Sequence, residues 1–146
     1  MPQHLAIDRA RSAARIARDI ETLSRAPYTA GGVGITRYAF TEPFANTLRF
    51  LSDTLVGLGF HARLDAVGNL VATNRPPGAP TVAVGSHCDS VRAGGRFDGA
   101  LGMSAALEIA RSAFNTTGQR CTCTRRLILH EAIAGRFLSA FSKAAF

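Results

Sequence analysis

No stretch of this chain stays apolar for the about 18 residues that a membrane-spanning helix requires, because Gly, Arg or Asp interrupts each run. A bilayer span is therefore excluded and a cytoplasmic protein is expected. Cysteine is scarce: Cys88, Cys121 and Cys123 are an odd number at spacings that fit neither a disulfide framework nor a zinc knuckle, which points to a reducing compartment. The N-terminus is Arg-rich, but Asp8, Asp19 and Glu21 interrupt it and no apolar core of a signal peptide follows, so export is not expected. Acidic residues are nearly absent from one end. Residues 1–108 hold 11 basic and 9 acidic side chains, whereas residues 109–146 hold 6 and 1, so most of the formal charge of +7 belongs to the tail. No helix-turn-helix, zinc finger or aromatic-rich basic strand accompanies that charge, and neither nucleic acid nor membrane is an expected partner.

The 146 residues, 47% apolar and 18% charged, suit one globular domain with its own core. Over residues 4–24, Ile16, Ile20 and Leu23 recur at helical spacing with Arg11, Arg15 and Arg18 mainly opposite. Pro27 and Gly31-Gly32-Val33-Gly34 end that helix. Thr41-Glu42-Pro43 starts a second, with Pro in the first turn and Leu48, Leu51, Leu55 and Leu58 as its apolar stripe. Alternation at Phe60, Ala62 and Leu64, then Gly68-Asn69 and Leu70-Val71-Ala72, predicts strand, turn and strand. Thr81-Val82-Ala83-Val84 reads as a strand buried on both faces, Gly99 to Phe114 as a helix, and Leu127-Ile128-Leu129 as another buried strand. That order predicts an α/β fold with a mainly parallel sheet flanked by helices.

In such sheets ligands bind beyond the carboxyl ends of the strands, which is where Ser86-His87-Cys88-Asp89-Ser90 falls. A neutral imidazole ligates zinc or manganese, and a nearby carboxylate can hold its other ring N–H. Asp98, in Gly94-Gly95-Arg96-Phe97-Asp98-Gly99, could bridge two ions or simply cap the helix that follows. Taken alone, His-x-Asp more often marks a hydrogen-bonded loop than a metal site. Cys88 reads as a space-filling side chain, His4 and His61 as surface histidines, and His130 as a ligand candidate without a partner pattern.

Four segments together carry more: Gly34-Ile35-Thr36-Arg37, Asp65-Ala66-Val67-Gly68-Asn69-Leu70, Gly85 to Val91, and Gly94 to Gly102. In this order and spacing, over about residues 10–115, the chain resembles the N-terminal part of the M20-type amidohydrolases of the hydantoinase/carbamoylase group. These include N-carbamoyl-L-amino-acid hydrolase, allantoate amidohydrolase and ureidoglycolate hydrolase. The resemblance implies a partial M20 zinc-peptidase-like catalytic domain over residues 1–130 and hydrolysis of non-peptide C–N bonds in carbamoyl or ureido molecules. It also implies two divalent ions, Zn or Mn, with His87 binding one, Asp98 bridging both and Asp89 orienting His87.

The family takes its general base from a Glu-Glu-Gly-x-Arg-Phe pattern, and here the chain departs. Aligning on Arg136-Phe137 leaves Ala132 and Ile133 in the Glu-Glu positions, with Glu131 as the one nearby candidate base. Family members are more than twice as long, and their later ligands and dimerisation domain have no counterpart here. Residues 131–146 therefore read as a divergent tail, and a truncated, mis-spliced or frame-shifted product, inactive alone, is the leading expectation. A non-catalytic homologue serving as a binding or association module, and an unrelated α/β binding module, are the alternatives.

Overall fold

The structure, a computed structural model, describes residues 9–113 and Gly135. Three helices and one hairpin appear in the order α1 (Arg9–Leu23), α2 (Glu42–Gly57), β1 (His61–Leu64), β2 (Leu70–Thr73) and α3 (Ala100–Ala113). The apolar periodicities pack as read: Ile20 and Leu23 of α1, Leu51 of α2, and Ala100, Met103 and Leu107 of α3 form one buried cluster. Ile16, Leu55, Leu70 and Cys88 pack around it.

The polar side of α1 is not simply solvated. Arg15 reaches across to α3, its Nε donating to Glu108 at 2.7 Å, and Arg111 of α3 donates to Asp19 of α1. Asp19 and Glu108 are 2% and 6% exposed, so each carboxylate leaves water only because a guanidinium meets it. These two pairs fix the rotation of α1 on α3.

Pro43 lies in the first turn of α2, as expected, and Thr41 is the N-cap residue but makes no side-chain cap bond; its hydroxyl donates back to the Tyr38 carbonyl at 2.6 Å. β1 and β2 pair antiparallel, His61 opposite Thr73 and Leu64 opposite Leu70. Asp65 builds their turn by accepting the Val67 and Asn69 N–H groups at 3.0 and 2.9 Å, while Gly68 takes the left-handed φ of 86° the turn requires. The bond from the Asn69 side chain, first among several, holds the Asp65 carboxyl below its ordinary pKa. The hairpin lies open to water along much of its length, and Leu64 is 58% exposed.

The sheet expectation needs correction. Among the described residues the one sheet is this two-stranded antiparallel hairpin, and residues 81–85 form no strand. An extended segment becomes a strand only when a neighbour takes its N–H and C=O groups. The neighbour expected for it, Leu127-Ile128-Leu129, lies outside the described residues, as do Phe114 and His130. No helix among the described residues is long and apolar enough to cross a membrane.

Candidate functional site

The segment after Gly85 is held in place from two sides. On one side the first turn of α3 lies against it, and two glycines make that approach possible. A Cβ on Gly99 would stand 2.4 Å from the His87 carbonyl oxygen and 2.9 Å from its ring Cε1; one on Gly102 would stand 2.7 Å from the Ser86 Cβ. Gly99 also has a φ of +67°, which side-chain-bearing residues rarely adopt. The Gly-x-x-Gly spacing is thus a seat for Ser86-His87 at the start of a helix.

On the other side Gly34-Ile35-Thr36-Arg37 forms a clip. Ile35 and Gly94 exchange two backbone hydrogen bonds of 2.9 and 2.8 Å, and a Cβ on Gly34 would come within 2.8 Å of the Ala93 backbone. The Ser90 N–H donates to the Arg37 carbonyl at 2.8 Å, the Arg37 N–H donates to Ser90 Oγ at 2.9 Å, and Ala93 N–H donates to Thr36 Oγ1 at 2.9 Å. Arg37, 2% exposed, sends its guanidinium into carbonyls instead of a carboxylate: Nε to Tyr28 at 2.5 Å, Nη1 to Cys88 at 3.0 Å, and Nη2 to Leu23. Burial pulls its pKa below the ordinary arginine value. The four residues stood out in the sequence as a motif, but nothing in their types announced a brace for a loop more than fifty positions away.

Between these supports, the structure brings His87, Asp89 and Asp98 together. His87 Nε2 lies 3.1 Å from Asp98 Oδ1, and Nδ1 lies 2.9 Å from the Asp89 carbonyl oxygen. The Asp89 carboxylate is farther from Nδ1, at 3.4 Å, so Asp89 meets the ring mainly through its backbone. All three side chains are about half exposed. Asp98 turns its carboxylate to His87, which answers the alternative of a simple helix cap. With an acceptor at each ring nitrogen, the imidazole favours a positive charge. The Asp89 carbonyl first, and then the Asp98 charge, raise the His87 pKa above its ordinary value, against a smaller opposing effect of burial than the carbonyl's.

A cation seated between Nε2 and Oδ1 would meet the same demand. Two atoms bound to one zinc ion at about 2.0–2.2 Å lie about 2.8–3.6 Å apart at octahedral to tetrahedral angles, so the observed 3.1 Å fits two positions on one ion. Two donors are fewer than the three of a catalytic zinc site. Among the described residues no group of three or more His, Cys, Asp or Glu side chains forms a site for an ion. Glu131 and the Ala132-Ile133 positions lie outside the described residues.

Cys88 points the other way, its Sγ 3.0 Å from Met103 Sδ at the edge of the core, where burial first of all pushes the thiol up to about 11. It fills space, as the sequence suggested. His61 is exposed, also as read.

The N-carbamoyl-L-amino-acid amidohydrolase of Paenarthrobacter aurescens is 42% identical over 101 residues, covering 68% of this chain and 24% of that protein. The crystal structure of an amidase of the hydantoinase/carbamoylase family from Burkholderia phymatum matches with 35% identity and a TM-score of 0.59, over 67% of this chain and 24% of that one. Part of this chain is homologous to the hydantoinase/carbamoylase amidohydrolases. The allantoate amidohydrolase of Bacillus subtilis is 29% identical over 81% of the chain. The chain spans about a quarter of the length of these relatives. A second likeness overlaps the site: the aldehyde dehydrogenase family matches residues 97–145, a stretch that begins beside Asp98 and includes α3.

Proposed function

We propose that the chain carries part of the catalytic domain of a metal-dependent hydrolase acting on C–N bonds other than peptide bonds. Its substrates are small linear amides: N-carbamoyl amino acids, allantoate or ureido acids. The observation that carries this reading is the approach of His87 Nε2 to Asp98 Oδ1 within a chain similar to amidohydrolases. His87 and Asp98 would hold a divalent ion, Zn or Mn. Asp89 holds the His87 ring through its carbonyl. A bound ion there supplies a Lewis acid for the carbamoyl or amide carbonyl and lowers the pKa of its water. Most of the excess positive charge falls in residues 109–146 of the sequence with no nucleic-acid-binding motif beside it, which favours a small-molecule partner over nucleic acid or membrane. The free thiol of Cys88 suits a cytoplasmic location.

The isolated chain is inactive in this reading. The described residues supply two donors, and Ala132 and Ile133 can neither take a proton nor bind a metal. A positioned general base alone contributes about 10² to 10⁴ in rate, so Glu131, one position early, is the sole local substitute. The aldehyde dehydrogenase likeness takes in the whole departure from the amidohydrolase pattern except Phe146. It favours a junction of two coding segments over a frame-shift, because a shifted frame has no reason to resemble any family.

Incubation of the purified chain with N-carbamoyl amino acids, allantoate and ureidoglycolate in the presence of manganese tests the reading. No ammonia or amino acid is expected. Turnover that disappears in His87→Ala would contradict the inactivity and point to Glu131 as the base. A Glu-Glu-Gly coding stretch in another frame after the Leu129 codon would refute the junction.

A further inference from the structure

An open cleft of about 270 Å³ lies where the loop after α1 meets α2, and none of its lining belongs to the His87 site. Its apolar wall is the edge-to-face pair of Tyr28 and Phe50, with ring centres 5.5 Å apart and both side chains packed against the buried cluster. That wall is fixed before any ligand arrives. The Tyr28 N–H donates to the Arg25 carbonyl at 2.8 Å, and the Tyr28 carbonyl accepts Arg37 Nε at 2.5 Å.

Two charges of opposite sign share the cleft, and they do not neutralise each other. Arg49 and Asp53 stand at i and i+4 on α2, a spacing at which opposite charges ordinarily pair. Here the guanidinium turns back toward Asn46, its Nη1 donating to Oδ1 at 2.9 Å, while Asn46 Nδ2 donates onward to the Pro27 carbonyl at 3.3 Å. Asp53 is left exposed, with no side-chain hydrogen bond or ion pair to any of the described residues. A cation and an anion are thus kept apart beside an aromatic wall.

We propose that this cleft binds a free α-amino acid with an apolar side chain: the ammonium on Asp53, the carboxylate on the guanidinium N–H groups that Asn46 leaves open, and the side chain against Tyr28 and Phe50. A ligand with one charge would satisfy one partner and strand the other, whereas a zwitterion satisfies both. Size agrees. Pockets for drug-sized ligands run from about 300 to 1,000 Å³, so this cleft admits a molecule with the bulk of one amino acid and little more. Asn46 holds Arg49 in advance, which removes part of the side-chain ordering cost of binding. The proposal goes beyond the hydrolase reading and rests on none of it, since neither metal nor turnover enters.

The test is a titration of the full chain with L-leucine, followed by backbone ¹H–¹⁵N signals, beside N-acetyl-L-leucine, which lacks the ammonium, and L-leucinamide, which lacks the carboxylate. L-Leucine should shift the signals of Tyr28 and residues 46–54 saturably in the millimolar range, and each analogue should need about 10-fold higher concentration. Asp53→Asn and Arg49→Gln should each weaken L-leucine by a like factor. Glu42→Gln, in the first turn of α2 and outside the cleft, should leave its binding unchanged.

No saturable shift by L-leucine would overturn the proposal. So would equal binding of L-leucinamide, which would make this a cleft for an organic cation, or of N-acetyl-L-leucine, which would make it one for an anion. Undiminished L-leucine binding in either Asp53→Asn or Arg49→Gln, or a matching loss in Glu42→Gln, would overturn it as well. If a variant does not fold, the comparison of the three probes on the parent chain decides.

Discussion

Gly99→Ala places one methyl group where the fold has no room, and its cost follows from two separate effects. The first is conformational: φ of +67° in a residue with a Cβ costs about 1–2 kcal/mol. The second is steric. The new Cβ would lie 2.4 Å from the His87 carbonyl oxygen, and ordinary contact begins at 3.4 Å, so the His87 backbone or the first turn of α3 must move by about 1 Å. Overpacking of this kind costs about 1–3 kcal/mol, and a backbone atom cannot swing aside as a side-chain end would. The sum, about 2–5 kcal/mol, should appear as a lower midpoint in urea at unchanged slope. Gly57→Ala is the matched control, since nothing lies within 4 Å of its added Cβ and its φ is not left-handed. It should be neutral or stabilising by up to about 1 kcal/mol. Because the displaced group is His87 itself, Gly99→Ala should also shift the His87 ring resonances. A loss under about 0.5 kcal/mol with those resonances unmoved would refute the seat built by Gly99.

Other outcomes follow from the same geometry. The folded chain holds the Cys88 proton more tightly than the unfolded one, since burial lifts the thiol from 9.0 to about 11. Its contribution, of order 2–3 kcal/mol at most, is therefore fully present below about pH 8.5 and is lost as pH rises toward 11. Urea melts of the parent and Cys88→Ala across that range should converge at high pH, and parallel curves would contradict the assignment. Asp19→Ala removes the carboxylate that neutralises Arg111 at the α1–α3 contact and should cost about 3–5 kcal/mol with little salt dependence. Glu21→Ala, which loses exposed pairs with Arg25 and Arg96, should cost under about 0.5 kcal/mol in urea melts.

The helices and the hairpin were legible because their signals are local. Ile20, Leu23, Leu51, Met103 and Leu107 fall at helical spacing and are all buried, and Asp65-Ala66-Val67-Gly68-Asn69 carries its turn in its own side chains. The strand at 81–85 was misread because a continuous apolar run says what a segment could bury, while only a neighbour makes it a strand. Asp89 was assigned to His87 by its carboxylate, and the backbone carbonyl does most of that work; residue type cannot distinguish the two. Arg37 was noticed without a role for a related reason. Its partners are carbonyls of Leu23, Tyr28 and Cys88, groups every residue possesses, so no pattern of side chains could reveal them.

The direct test of the site is a Mn²⁺ titration of the chain, followed by calorimetry and by the ¹H signals of the His87 ring, beside His87→Ala and Asp98→Ala. With two donors among the described residues, binding should be weak, well short of two ions per chain, centred on His87 and abolished there in both variants. Two tightly bound ions would mean a complete ligand set, and binding indifferent to both substitutions would mean that His87 and Asp98 form no metal site.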